Sequence, residues 1–208
     1  MSTKLDELNS YVEKFENLVP ELNERWAGFR DEVFKEGLIS AKDKQLIGLA
    51  CAYVTESRHD IRTRTILAKE LGATDEEIAE SVYIAMRLAI GQPYAFSSIA
   101  LENYDLMKNK GSVFQGYFMS KNITCSAFHE LVYEDGHLPK KLKKGLMGLA
   151  CAMLAKCPWC IRSCIRDGLQ EGVIKEEIVE AINIAMVMNA SAVVANTDVS
   201  MEVSEQAG

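Results

Sequence analysis

An all-α fold, a tandem duplicated helical bundle, is what this sequence predicts, on three observations. Its apolar residues recur at three- and four-residue spacings, and no stretch shows the alternation of a half-buried strand. The chain also matches itself at an offset of 100 residues: from Leu38/Leu138 to Ile90/Ala190 it aligns without a gap, with 18 of 53 pairs identical. Helix-stop and helix-start signals fall at the same places in both copies. Gly72 and Gly172 suit helix ends, and Glu76-Glu77-Ile78 and Glu176-Glu177-Ile178 place acids at the positive end of the helix that follows. Two copies at so long a period describe a duplication, not a solenoid.

The elements follow in chain order. Leu5 to Val19 and Glu21 to Glu36 read as two amphipathic helices broken at Pro20. In each copy a first helix spans about Ala41 to Thr55 (Lys141 to Ala155), with Leu46, Leu49, Ala50 and Tyr53 at helical spacing. A second spans Arg58 to Leu71 (Pro158 to Glu171), and proline suits the first helical position because its missing N–H would have no partner there. A third starts near Thr74 and carries Ile78, Val82, Ala85, Met86 and Ala89 on one face. Between the copies, Tyr94 to Lys108 and Ser112 to Tyr133 read as further helix. The expected divisions are residues 1–37 as N-terminal helices, 38–110 as a first repeat without a thiol site, and 111–208 as a second repeat with one.

Composition narrows the function classes. The net charge is −7, with 25% charged residues of both signs interspersed and no basic block, which argues against nucleic acid as a partner. No segment offers about 18 uninterrupted apolar residues, so no membrane span is expected. The polar start, Met1 to Asn9, lacks the apolar core of a signal peptide, and a cytoplasmic location is the expectation. Structural disulfides are rare there. Cys51, Cys125 and Cys151 sit in apolar contexts and read as small core residues.

Cys157, Cys160 and Cys164 need another explanation. Their spacing puts three thiols on one helical face, and the first two form a C-x-x-C pair able to open and close a disulfide. The first copy carries Ser57, Asp60 and Arg64 instead, so the thiols belong to one repeat alone. A helix starting at Pro158 would put Cys157 at its N-cap, where free N–H groups and the helix dipole favour a thiolate. Three thiolates could also contribute to a soft-metal site, given a fourth ligand. Met86, Met186 and Met188 read as core or subunit contacts.

The apolar helix Leu146 to Ala155, the motif Cys157-Pro158-Trp159-Cys160, Gly172 and Glu176-Glu177-Ile178-Val179-Glu180-Ala181 together resemble the carboxymuconolactone decarboxylase and alkylhydroperoxidase D-like superfamily. The likeness covers nearly the whole chain. It implies an all-helical fold whose duplicated members form homotrimers. It also implies thiol–disulfide oxidoreduction, with Cys160 attacking a hydroperoxide and Cys157 resolving the product. No bound cofactor is implied, and the electron donor would be a dithiol partner of the lipoyl type. The dipole argument by itself instead favours Cys157 as the more acidic thiol. Two relay positions depart from the family pattern: its helical histidine is Cys164 here, and its glutamate falls at Gly145, with Gln45 in the first copy. Restoring both would be expected to rebuild the relay, while His129 or His137 would be the substitutes for its base.

Two rival readings stand beside this one. The thiols would serve a non-enzymatic oligomer that senses redox state or holds a metal. Alternatively, His59, Asp60, Arg62 and Arg64 of the first copy would bind a small organic acid in decarboxylase-like chemistry, against the plainer reading of a solvated or subunit-facing ion-pair network.

Overall fold

Helix signals recur so evenly along the chain that helices account for nearly all of the structure. The computed structural model describes residues 12–107 and 123–207, and among them no strand is present. In chain order the helices are α1 (12–18), α2 (Pro20–Phe34), α3 (Ala41–Val54), α4 (Arg58–Glu70), α5 (Asp75–Met107) and α6 (Ile123–Val132). They continue with α7, which begins as the π-helix Lys141–Met147 and runs into the α-helix Gly148–Leu154. Then come α8 (Pro158–Gln170), α9 (Lys175–Ala195) and α10 (Thr197–Ala207). Pro20 opens α2 as a first-turn residue. The helix expected from Tyr94 is not separate, because α5 continues through Pro93. Of the expected Ser112–Tyr133 helix, Ile123–Val132 is helical and residues 112–122 lie outside the described residues.

The two repeats agree down to their turns. Ser57 and Cys157 are N-caps of α4 and α8, preceded by Glu56 and Lys156 at φ 57° and 52°. Gly72 and Gly172, at φ 85° and 77°, reverse the chain after those helices, a conformation that costs glycine little. The cores of α3 and α7 are equivalent: Leu46, Leu49, Ala50, Cys51 and Ala52 are buried, as are Leu146, Leu149, Ala150, Cys151 and Ala152. The neighbouring Cys51 thiol and burial hold the Cys151 pKa well above the ordinary thiol range. Cys125, by contrast, is only half-buried on α6 and is not a core residue.

Each third helix crosses to the other repeat: α5 packs on α7 and α8, and α9 packs on α3 and α4. Glu180 of α9 accepts N–H bonds from Leu38 and Ile39 and pairs with the buried Lys44 at 3.0 Å. Glu80 of α5 accepts from His137 and Leu138 and pairs with the buried Lys143 at 3.2 Å. Lys42 with Glu77 and Lys141 with Glu177 form a second matched pair.

These contacts correct the gapless alignment. Lys44 corresponds to Lys143, and Gly37 to Gly136, one residue short of the offset of 100 that holds from Leu46/Leu146 onward. The second repeat therefore contains one extra residue between Lys143 and Leu146. The π-helix Lys141–Met147 absorbs it, since an i→i+5 turn takes up a single inserted residue without breaking the helix.

The span of α9 and α10, Lys175–Ala207, contains a window of mean hydropathy 1.8, so by length and composition it is apolar enough to cross a membrane. In this structure its Ala181, Ile184, Ala185, Val187 and Met188 form part of the core.

Candidate functional site

The C-x-x-C motif lies where α8 begins. Cys157 has extended backbone geometry (φ −106°, ψ 97°), so its side chain turns back over the first turn and accepts the Cys160 N–H, N···Sγ 3.3 Å. Cys157 and Cys160 are joined in a disulfide, with Cα atoms 5.2 Å apart. Cys157 is fully buried and Cys160 is 7% exposed, so the second sulfur is the one within reach of a reactant. Between them Trp159 is half-exposed and meets Phe96 of α5 edge-on, ring centroids 5.5 Å apart.

The first repeat's α5 closes the site from the other side. A Cβ built on Gly91 would lie 3.9 Å from Cys160 Sγ and 4.0 Å from Arg87 Nη1, ordinary contact distances, so both groups border this stretch of α5. The Arg87 guanidinium lies over the Tyr133 ring, 4.3 Å from its centroid, and its Nε is buried without a hydrogen-bond partner. The Tyr133 hydroxyl and Cys164 Sγ converge on Gly148, where an added Cβ would meet them at 3.0 and 3.1 Å. Cys164 lies beside that hydroxyl without an aligned hydrogen bond to it. Burial pushes the Cys164 thiol up to about 11, against the opposing pull of Arg87. Burial, and then Cys164, likewise hold the Tyr133 phenol well above its usual range.

The family's relay positions are occupied by groups that do no proton transfer near pH 7. Cys164 stays a neutral thiol, and Gly145 packs against Gly168, where a Cβ would meet the Gly168 Cα at 2.9 Å. The backbone N–H of His137 is bonded to Glu80 of α5. His129 packs edge-on against Tyr94, one turn beyond Gly91 on α5, with ring centroids 6.4 Å apart. Burial, and then Arg87, lower its pKa below 6.5, so it is neutral at pH 7 and able to accept a proton.

In the first repeat the same positions hold a polar network. Ser57 Oγ donates to Asp60 Oδ2 (2.6 Å), Ser191 of α9 donates to Asp60 Oδ1, and Arg64 Nη1 donates to Gln45 Oε1 (2.9 Å). Asp60 and Arg64 are almost completely buried, so the expected solvated ion-pair network does not describe them; Arg62 alone is exposed. Arg64 lies over Phe34, 3.7 Å from the ring centroid, as Arg87 lies over Tyr133. The cation thus comes from α4 in one repeat and from the crossing helix α5 in the other. Sequence reasoning missed Arg87 and Tyr133. The signal for them was the asymmetry of Arg87 against Val187, and of Tyr133 against Phe34 once the extra residue is counted.

Among the described residues no three His, Cys, Asp or Glu side chains are grouped to hold a metal ion. Two of the three thiols are committed to the disulfide and the third faces Tyr133.

Residues 20–98 and 124–197 match the carboxymuconolactone decarboxylase family model, one segment per repeat. The chain belongs to that family. A protein of Paracoccus denitrificans described as "Uncharacterized protein 4 in cox locus" is 35% identical over 80 residues, covering 38% of this chain and 71% of that protein. Family membership supports peroxidase- or decarboxylase-like chemistry without choosing between them. The choice rests on the site.

Proposed function

We propose that this protein is a thiol–disulfide oxidoreductase in which Cys157 and Cys160 cycle between dithiol and disulfide, with hydroperoxides as a slow oxidant. One observation carries the reading: a disulfide closed across the first turn of α8, whose N-cap sulfur accepts the backbone N–H of its own partner. In the reduced state that N–H and the helix dipole favour a Cys157 thiolate, while Arg87, which acts on the neighbouring Cys164, adds positive potential on this side of the site.

The cycle balances as follows. The Cys160 thiolate attacks the distal oxygen of a hydroperoxide, forming Cys160 sulfenic acid and releasing an alkoxide that takes a proton to become the alcohol. The Cys157 thiolate then attacks the Cys160 sulfur, forming the disulfide and expelling hydroxide, which leaves as water. A dithiol donor of the lipoyl type reduces the disulfide by two exchanges and leaves as its own disulfide. A small disulfide as oxidant would enter by thiolate attack on sulfur, with one thiolate leaving and no sulfenic acid. This arrangement divides the labour: Cys157 has the stabilising N–H, and Cys160 has the greater exposure.

Turnover of dihydrolipoamide with cumene hydroperoxide, and separately with a small disulfide, tests the cycle. Activity with either oxidant that disappears in both Cys157→Ser and Cys160→Ser supports it, and peptide mapping after mild oxidation should find the 157–160 bridge with Cys51 and Cys151 reduced. Absence of turnover with both oxidants, or turnover unchanged in Cys157→Ser, overturns it.

A further inference from the structure

Among the described residues Cys125 is the one free thiol that is not buried. Cys51, Cys151 and Cys164 are enclosed, and Cys157 and Cys160 are joined in the disulfide. Cys125 also has a neighbour suited to activating it. Cys125 and His129 stand four positions apart on α6, which brings their side chains together on one helical face, with Cys125 Sγ 3.8 Å from His129 Nε2. When the ring proton is on Nδ1, Nε2 is the acceptor for the thiol S–H. A nucleophile within reach of a base, and a base oriented by a third group, is the arrangement that nucleophilic thiol chemistry requires.

Tyr94 of α5 is that third group. Its ring meets the imidazole edge-on at 6.4 Å, from a different helix than the one that carries the pair, and so restrains the imidazole from swinging away from the sulfur. Burial, and then Arg87, keep His129 neutral at pH 7, which is the form able to take a proton. Half-burial of Cys125 suits the same chemistry: one side of the sulfur faces its base and the other is open to a reactant.

We propose that Cys125 and His129 form a second nucleophilic thiol site, separate from the 157–160 pair, at which a small-molecule disulfide is the substrate and a mixed disulfide on Cys125 is the product. The step balances without a further oxidant. His129 Nε2 takes the Cys125 proton, the thiolate attacks one sulfur of the small disulfide, and the bond between its two sulfurs breaks. The departing thiolate takes up the proton and leaves as a thiol. Cys125 is thereby oxidised to the disulfide level and one half of the substrate is reduced. Excess small thiol runs the same exchange backwards. The inference does not depend on the redox cycle proposed above, because no atom of Cys157 or Cys160 takes part.

Glutathione disulfide is the probe, applied to full-length Cys157→Ser/Cys160→Ser protein. Intact-mass measurement at pH 7 should show one glutathionyl adduct per chain, and peptide mapping should place it on Cys125. Wild-type protein with its 157–160 disulfide closed should gain the same adduct, and Cys125→Ser in either background should gain none. An unassisted thiol, with its reference pKa near 8.5, is only about a few per cent thiolate at pH 7, so loss of the base is visible in the rate. His129→Gln should slow adduct formation at least fivefold. A second comparison covers the case in which His129→Gln fails to fold: Cys125 in the intact protein should react at least fivefold faster than the cysteine of a short unstructured peptide without histidine. No adduct, an adduct on Cys51, Cys151 or Cys164 in place of Cys125, a slowing of less than fivefold in folded His129→Gln, or an advantage of less than fivefold over the peptide would each overturn the proposal.

Discussion

Arg87 and Tyr133 come from opposite sides of the repeat junction and stack at 4.3 Å next to Cys164, so the first repeat supplies a cation to the second repeat's thiol cluster. A cation favours the thiolate over the thiol, and at partly buried distances its effect is of the order of one pKa unit. Arg87→Met should therefore raise the pKa of the more reactive thiol in the reduced protein by about one unit. Its alkylation by iodoacetamide at pH 7 would slow by up to about tenfold, because one unit is a tenfold change in thiolate fraction. Arg87→Lys should lie between. Identical pH–rate profiles for wild type and Arg87→Met would remove Arg87 from the mechanism.

The reciprocal carboxylates Glu80 and Glu180 give a prediction about stability. Burial works to raise both pKa values, but bonds from two backbone N–H groups and a buried lysine outweigh it and leave both lowered. Their stabilisation is present above the unfolded carboxylate value near 4.5 and is lost as pH falls through the depressed folded values. Glu180→Gln strips the carboxylate from Lys44, which is 5% exposed, and should cost roughly 2–4 kcal/mol in a denaturant titration at pH 7. Glu80→Gln should cost a similar amount through Lys143. Losses below about 0.5 kcal/mol in both would show that the matched pairs do not hold the repeats together.

Much of this was legible in the sequence, and the failures have physical causes. Helix positions, the glycine turns and Cys157 as an N-cap follow from local chemistry, because caps and stops depend on a few neighbouring residues. The extra residue before Leu146 was not legible. A π-turn leaves the apolar pattern of α7 intact, and the Lys44/Lys144 identity concealed the true partner Lys143. Arg87 was missed because it lies some 70 positions before the thiols it serves, on a helix assigned to the other repeat. The first-repeat cluster was read as a solvated or subunit-facing network because charged residues usually lie at the surface, whereas Asp60 and Arg64 are held in the interior by hydroxyl, amide and aromatic partners.

Cys164 makes stability depend on alkaline pH. Burial raises its pKa to about 11, and unfolding returns it to about 9, so between those values the unfolded state binds fewer protons. Stability contributed by the folded thiol is complete below about pH 9 and declines as pH rises toward 11. Two units correspond to roughly 3 kcal/mol as an upper figure. Cys164→Ala should flatten the fall in melting temperature across that window. An unchanged alkaline slope would mean that other buried groups, Tyr133 and Cys151 first, account for it.

Assembly is a further expectation. Met86 and Met186, related by the duplication, are 41% and 54% exposed, and Ile90, Ile99 and Val193 are exposed on the same two long helices. Exposed apolar residues on the two long helices favour association, and the family resemblance sets the number at three. Light scattering at micromolar concentration should give a trimer mass, and Met86→Glu with Met186→Glu should lower it. A wild-type monomer would refute this.

Gly145 bears on whether the missing proton relay can be restored. By sequence it stands where the family places a glutamate, so Gly145→Glu with Cys164→His is the obvious reconstruction. The structure argues against it. An added Cβ at residue 145 would lie 2.5 Å from Val173 Cγ2 and 2.9 Å from the Gly168 Cα, and Gly168 is helix backbone that cannot move aside without shifting α8. Even Gly145→Ala should therefore destabilise the protein by roughly 1–3 kcal/mol, as overpacked core positions do. A glutamate would add the cost of a buried carboxylate without a partner. The double variant should be less stable than wild type and no faster with hydroperoxide. Base assistance is typically worth about 10²–10⁴-fold, so a rebuilt relay would be unmistakable in the rate. His129, held neutral by burial and by Arg87, is the better place to look for a base. His129→Ala should slow hydroperoxide turnover while leaving exchange with an already activated disulfide nearly unchanged. If Gly145→Glu/Cys164→His folds and gains even tenfold in hydroperoxide rate, the packing at Gly145 does not exclude the relay and the glutamate position is functional after all.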